Sequence, residues 1–156
     1  MIQRLLVAFD DSENAMRAVE YIANSFNKDQ RITLFSVIPD TAAICDMNSP
    51  SLTPYFLSRQ ADFCALEDEK KELVNKAMEK AREFLVKTGF DEKNVILKTQ
   101  MKVKGVVRDI LDEARSGYDT IVLGRRGMSG VKEFFLGSVS QRVLHLAKDV
   151  SVVVVD

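Results

Sequence analysis

Five short apolar runs, at residues 2–9, 31–38, 95–103, 120–123 and 150–155, are separated by longer stretches in which apolar residues recur at helical spacing. This alternation constrains the fold more than any other feature of the chain. An apolar run of this length suits a strand buried on both faces, and strands joined through helices form right-handed βαβ units in a parallel sheet. The expected class is therefore α/β, and 156 residues suffice for a single domain with one sizeable core.

The connecting segments refine this reading. Ser12 is a good N-cap, with Glu13 favourable in the first turn, and Ala15, Val19, Ile22, Ala23 and Phe26 predict a helix over about 13–27. Pro39 ends the second strand. Residues 39–60 show no period and contain Pro50 and Pro54, so they read as a long loop. A loop of this length either folds back on its own domain or covers a ligand or partner surface. An amphipathic helix is expected over about 61–88, with Leu66, Leu73, Ala77, Ala81, Phe84 and Leu85 inward, residues 67–71 as solvated charge, and Gly89 as its stop. A shorter helix follows Gly105, with Val106, Val107, Ile110, Leu111 and Ala114 inward and Gly117 closing it. A last helix is expected over 138–148.

The 22 basic and 23 acidic residues nearly cancel, so no basic excess suits nucleic acid. The first apolar run is too short for a signal peptide, and no stretch is long enough to span a membrane. Cys45 and Cys64 lie far apart without a CxxC, which predicts neither a zinc site nor a disulfide framework. A reduced, cytoplasmic protein is the expectation. His145 falls inside a helical pattern with no nucleophile or acid nearby and reads as structural.

Residues 120–140, TIVLGRRGMSGVKEFFLGSVS, carry the functional signal. A buried strand that runs into a glycine-rich loop and then a helix suits a phosphate: glycine lets the backbone approach an anion, and unpaired N–H groups at the helix start donate to it. Neither the Walker A spacing nor Gly-x-Gly-x-x-Gly is present. The spacing that is present is Gly-x2-Gly-x9-Gly-Ser, filled by Gly124, Gly127, Gly137 and Ser138. With the LGSVS ending and the opening VAFDDSE at residues 7–13, it resembles the universal stress protein family, over nearly the whole chain.

The resemblance implies one domain over residues 1–156, with a Rossmann-like five-stranded sheet of order 3-2-1-4-5 and helices on both faces, as in the adenine nucleotide alpha hydrolases. It implies a stress-response module that binds ATP or another adenine nucleotide, with Mg²⁺ as a companion of the phosphates. Gly124, Gly127, Gly137, Ser138, Val139 and Ser140 match the segment around ribose and phosphates. Asp10 matches an acidic residue near the adenosine end, although Asp10 and Asp11 also suit a helix cap. Val37 matches the position whose backbone reads the adenine edge, and Ala8, Phe9 and Leu123 match pocket walls. Arg126, with Lys132 beside it, adds charge by proximity in sequence. No catalytic base and no protein metal ligand stands out, so ATP hydrolysis, slow or partner-activated, is the alternative function. A nucleotide-free interaction protein is a third. The valine-rich last strand and the family's habit both predict a homodimer. The chain departs from the family at Asp11, where glycine is frequent, at Val106-Val107 after Gly105, and at Asp149-Val150-Ser151 before the last strand.

Overall fold

The structure, a computed structural model, describes residues 1–125 and 136–156. The elements follow in the order β1 (Arg4–Ala8), α1 (Glu13–Ser25), β2 (Arg31–Ile38), α2 (Ala42–Cys45), α3 (Pro54–Lys87), β3 (Val95–Met101), α4 (Val106–Ala114), β4 (Thr120–Gly124), α5 (Ser138–Leu146) and β5 (Ser151–Val155), with a 3-10 turn before β3. The five strands form one parallel sheet in the order β3-β2-β1-β4-β5. The order expected from the resemblance is the order observed.

Burial follows from that order. β1 is central, and Leu5, Leu6 and Val7 are fully buried because alternate side chains enter opposite layers. Leu5 and Val7 pack with α1 and α3 on one face, while Leu6 joins α4, Tyr118 and Val143 on the other. At the edge, β3 is mostly exposed, with Val95 alone buried and Leu97 and Gln100 partly so, and carries Lys98, whose ammonium meets the Glu113 carboxylate at 2.8 Å. Glu113 also accepts from the Tyr118 hydroxyl, at 3.1 Å, so this carboxylate is satisfied although only 9% exposed.

The segment between β2 and β3 departs from expectation. The long loop ends earlier than residue 60: α2 lies within it, and α3 begins at Pro54 with Thr53 as N-cap, its hydroxyl accepting from Phe56 N–H at 3.2 Å. Proline at the first helical position starts the helix rather than breaking it. The first turns of α3 lack periodicity because they touch little. Leu66 and Leu73, expected inward, are about half exposed, and the buried stripe is Met78, Ala81 and Leu85. At 34 residues, α3 is about 50 Å long and outruns the sheet that its C-terminal half covers.

Cys45 and Cys64 form a disulfide, contrary to the expected reduced pair. They stand 19 positions apart in sequence, but the chain folds back from α2 to α3 and brings their Cα atoms to 5.9 Å, within bonding range. Sequence spacing carried no sign of that reversal.

Candidate functional site

The carboxyl ends of β1, β2 and β4 open into a cavity of about 610 Å³. It lies where the strand order reverses, between β1 and β4, the usual ligand position in a sheet of this type. Ala8, Phe9, Asp10, Val37, Leu123, Gly124, Ser138, Val139 and Ser140, all expected at a site, line it together. Gly137 is buried beside them as the N-cap of α5. Arg126 and Gly127, with Lys132, lie outside the described residues.

Each wall follows from local chemistry. After Ala8 the chain turns into α1, and Asp10 holds the turn: its Oδ1 accepts from Ser12 N–H at 2.9 Å and from the Ser12 hydroxyl. Ser12 in turn caps α1, its Oγ accepting from Ala15 N–H at 3.2 Å. Asp10 therefore both shapes the turn and lines the cavity.

β2 runs on where β1 has stopped. Phe35 C=O accepts from Phe9 N–H, at 2.8 Å, on the β1 side, and Ile38 C=O accepts from Lys102 N–H, at 2.7 Å, on the β3 side. Successive residues of a strand present their backbone groups to opposite neighbours. Val37 thus faces the side of Phe35, where β1 no longer runs, and its N–H and C=O point to the cavity.

α5 supplies the opposite wall. Its first intrahelical bond is Gln141 N–H to Gly137 C=O, at 3.0 Å, so the N–H groups of Ser138, Val139 and Ser140 precede the ladder. Gly137 has no side chain to cap them, so among the described residues no side chain caps the positive end of the helix. The hydroxyl of Ser140, 3% exposed, reaches Gly124 C=O at 2.8 Å and Arg125 C=O at 3.0 Å. Its proton ties α5 to the end of β4. Gly124 answers to packing as well: a Cβ there would lie 2.7 Å from Asn14 O and 2.8 Å from Asn14 C.

Sequence reasoning missed the third wall. Glu67, Lys70, Lys71 and Val74 of α3 line the cavity, although residues 67–71 were expected in solvent. Glu67 is 8% exposed and accepts from Lys70 Nζ at 3.2 Å. The signal was present: 67, 71, 74, 78, 81 and 85 recur at spacings of four and three, so the polar pair extends the core stripe. Ser36, Ile38, Val106 and Ile110 also line the cavity. Among the described residues no three His, Cys, Asp or Glu side chains cluster as metal ligands, and no helix is long and apolar enough to cross a membrane.

Comparisons with known proteins agree with this architecture. The profile of the Universal stress protein family matches residues 1–156. The chain is 33% identical over 146 residues to universal stress protein Sll1388 of Synechocystis, covering 91% of this chain and 90% of that one. Among solved structures, universal stress protein UspA from Lactobacillus plantarum superposes with a TM-score of 0.73 at 22% identity, over 99% of this chain and 97% of the other. A universal stress protein from Archaeoglobus fulgidus, solved in complex with dAMP, superposes with a TM-score of 0.57 at 14% identity, over 100% and 98% of the two chains.

Proposed function

This chain belongs to the universal stress protein family, and we propose that it is a regulatory module that binds an adenine nucleotide, ATP foremost, in the cavity above β1, β2 and β4. One observation carries the reading: two sets of backbone groups that no described residue pairs meet in a single cavity of about 610 Å³. The N–H and C=O of Val37 suit the donor and acceptor edge of adenine. The uncapped start of α5 suits phosphate, which a capping side chain would displace. Ala8 and Leu123 offer apolar walls to the base, and Asp10 lies on the route towards the ribose. The complex of the Archaeoglobus fulgidus relative with dAMP supports the same ligand class. The reading concerns binding, and release of phosphate from ATP is expected to be slower than roughly one per second.

Two substitutions test the two ends separately. Val37→Pro removes one N–H from the cavity side without breaking a bond to β3, since that side is served by Ile38. Ser138→Glu adds a negative charge at the first position of α5, which favours the helix but opposes phosphate. Calorimetric titration with ATP, ADP and AMP, with and without Mg²⁺, should show each variant at least tenfold weaker for ATP. Ser138→Glu should affect AMP less than ATP. Absence of heat from the parent chain at millimolar ATP would overturn the reading.

We also propose a homodimer through β5. Ser151 N–H and Val155 C=O bond towards β4, so the backbone groups of Val152 and Val154 face the outer edge, which no described residue pairs. An apolar, β-branched edge without lysine or proline invites a second copy.

A further inference from the structure

The cavity is joined covalently to a segment outside it. Residues 60, 64, 67 and 71 form one stripe of α3 at spacings of four, three and four. Glu67 and Lys71 of that stripe line the cavity, while Cys64 and Gln60 lie one and two turns further out. The segment from Pro39 to Thr53 leaves the cavity rim at Ile38 and Pro39, crosses to α3 and returns as its N-cap. It is fastened to the stripe at two points. Gln60 Nε2 donates to Met47 C=O at 3.1 Å and to Ile44 C=O, and Cys64 is bonded to Cys45. Otherwise the segment is loosely held: α2 buries none of its residues.

This placement is unlike that of a structural staple. Disulfides stabilise small domains that lack a sufficient core, whereas this sheet has an apolar layer on each face. Both cysteines lie at the periphery and are half-buried, outside either core layer. We propose that Cys45–Cys64 is a redox-responsive clasp that sets the affinity of the cavity for its nucleotide, an inference that rests on the nucleotide-binding reading above.

The chemistry is thiol–disulfide exchange. The thiolate of a dithiol attacks one of the two sulfurs, the other leaves as a thiolate and takes up a proton, and the second thiol of the reagent resolves the mixed disulfide. Two electrons and two protons pass to the chain, the reagent becomes a disulfide, and a disulfide oxidant reverses the process. In the oxidised chain the clasp holds the outer turns of α3 and the rim together, so the wall of Glu67, Lys70 and Lys71 is in place before ligand arrives. Among the described residues, reduction leaves the Gln60 amide as the remaining side-chain fastening. The wall must then be ordered on binding, which costs affinity.

The test is calorimetric titration of the full chain with ATP, before and after treatment with a dithiol and again after reoxidation by glutathione disulfide. Affinity should fall at least threefold on reduction and recover on reoxidation. Cys45→Ser and Cys64→Ser should bind at the reduced value, with or without dithiol. Circular dichroism should show the sheet retained throughout, which separates loss of the clasp from loss of the fold. Equal affinity in both redox states, with binding intact, overturns the clasp and leaves the nucleotide reading standing. No binding in either state overturns the nucleotide reading, and the clasp with it. A thiol count that finds both cysteines free after exposure to the oxidant also overturns the clasp.

Discussion

Single residues at the site do two jobs, and their substitutions separate the two. Gly124 sits in a phosphate-type motif, yet a Cβ there collides with the Asn14 backbone. Gly124→Ala should therefore lower stability by about 1–3 kcal/mol even without ligand, measured by denaturant unfolding of the free chain. An unchanged midpoint would return this glycine to a purely ligand-facing role. Ser140→Ala removes the one hydroxyl proton that Gly124 C=O and Arg125 C=O share, the second of which keeps Gly137 N–H, and should cost about 1 kcal/mol in the same measurement. Asp149 has φ of 58° in the turn before β5, where a branched side chain is strained. Asp149→Val should lose about 1–2 kcal/mol, whereas Asp149→Gly should stay close to the parent in thermal unfolding.

Among the elements, α3 is two helices in one energetic sense. Its C-terminal half packs on β2, β3 and α1 through Met78, Ala81 and Leu85, and its N-terminal half projects from the sheet with Tyr55, Leu57 and Leu66 exposed. Met78→Ala should cost about 2–5 kcal/mol, the range for deleting a buried side chain of this size, while Leu66→Ala should change stability by less than about 0.5 kcal/mol. Amide exchange should divide along the same line, with residues 54–63 opening well before residues 75–87. Uniform protection along α3 would mean that the outer half packs against something. Between the halves, the turn of Glu67 to Lys71 lines the cavity, and it is where the helix passes from covering a sheet to walling a cleft.

At the scale of the whole molecule, the parallel order leaves β3 and β5 as edges, and the two are treated differently. β3 carries Lys98 and is crossed at its end by the turn held by Asp109, whose carboxylate accepts from Val103 and Lys104 N–H. β5 carries four valines and none of these devices. The segment 39–53 packs against α3, and the outer edge of β5 is uncovered by any described residue. Light scattering at micromolar concentration should give the mass of a dimer. Val154→Pro, which removes an outward N–H and spares the bonds to β4, should give a monomer that still binds nucleotide. A parent chain that scatters as a monomer would sink the dimer, and a dimeric Val154→Pro would move the interface elsewhere.

Sequence alone determined the class and the strands and named one half of the residues that line the cavity, because each rests on local pattern. Residues 5–7 are apolar in succession and therefore central. Ser12 caps a helix, and Gly137-Ser138 opens another at the end of a loop. Those signals act within a few residues, so periodicity and turn chemistry report them. Tertiary structure decided what depends on chain reversal. Only the course of α3 over the sheet turns Glu67 and Lys71 from an expected solvent face into a cavity wall, since a charge beyond the last apolar residue of a stripe looks the same whether water or a pocket lies opposite. Only the fold-back of α2 joins Cys45 to Cys64. Only the packing of α1 on β4 shows that Gly124 is small for the sake of Asn14. In each case the deciding contact lies between residues distant in sequence, and their proximity is a property of the packed chain rather than of any segment within it.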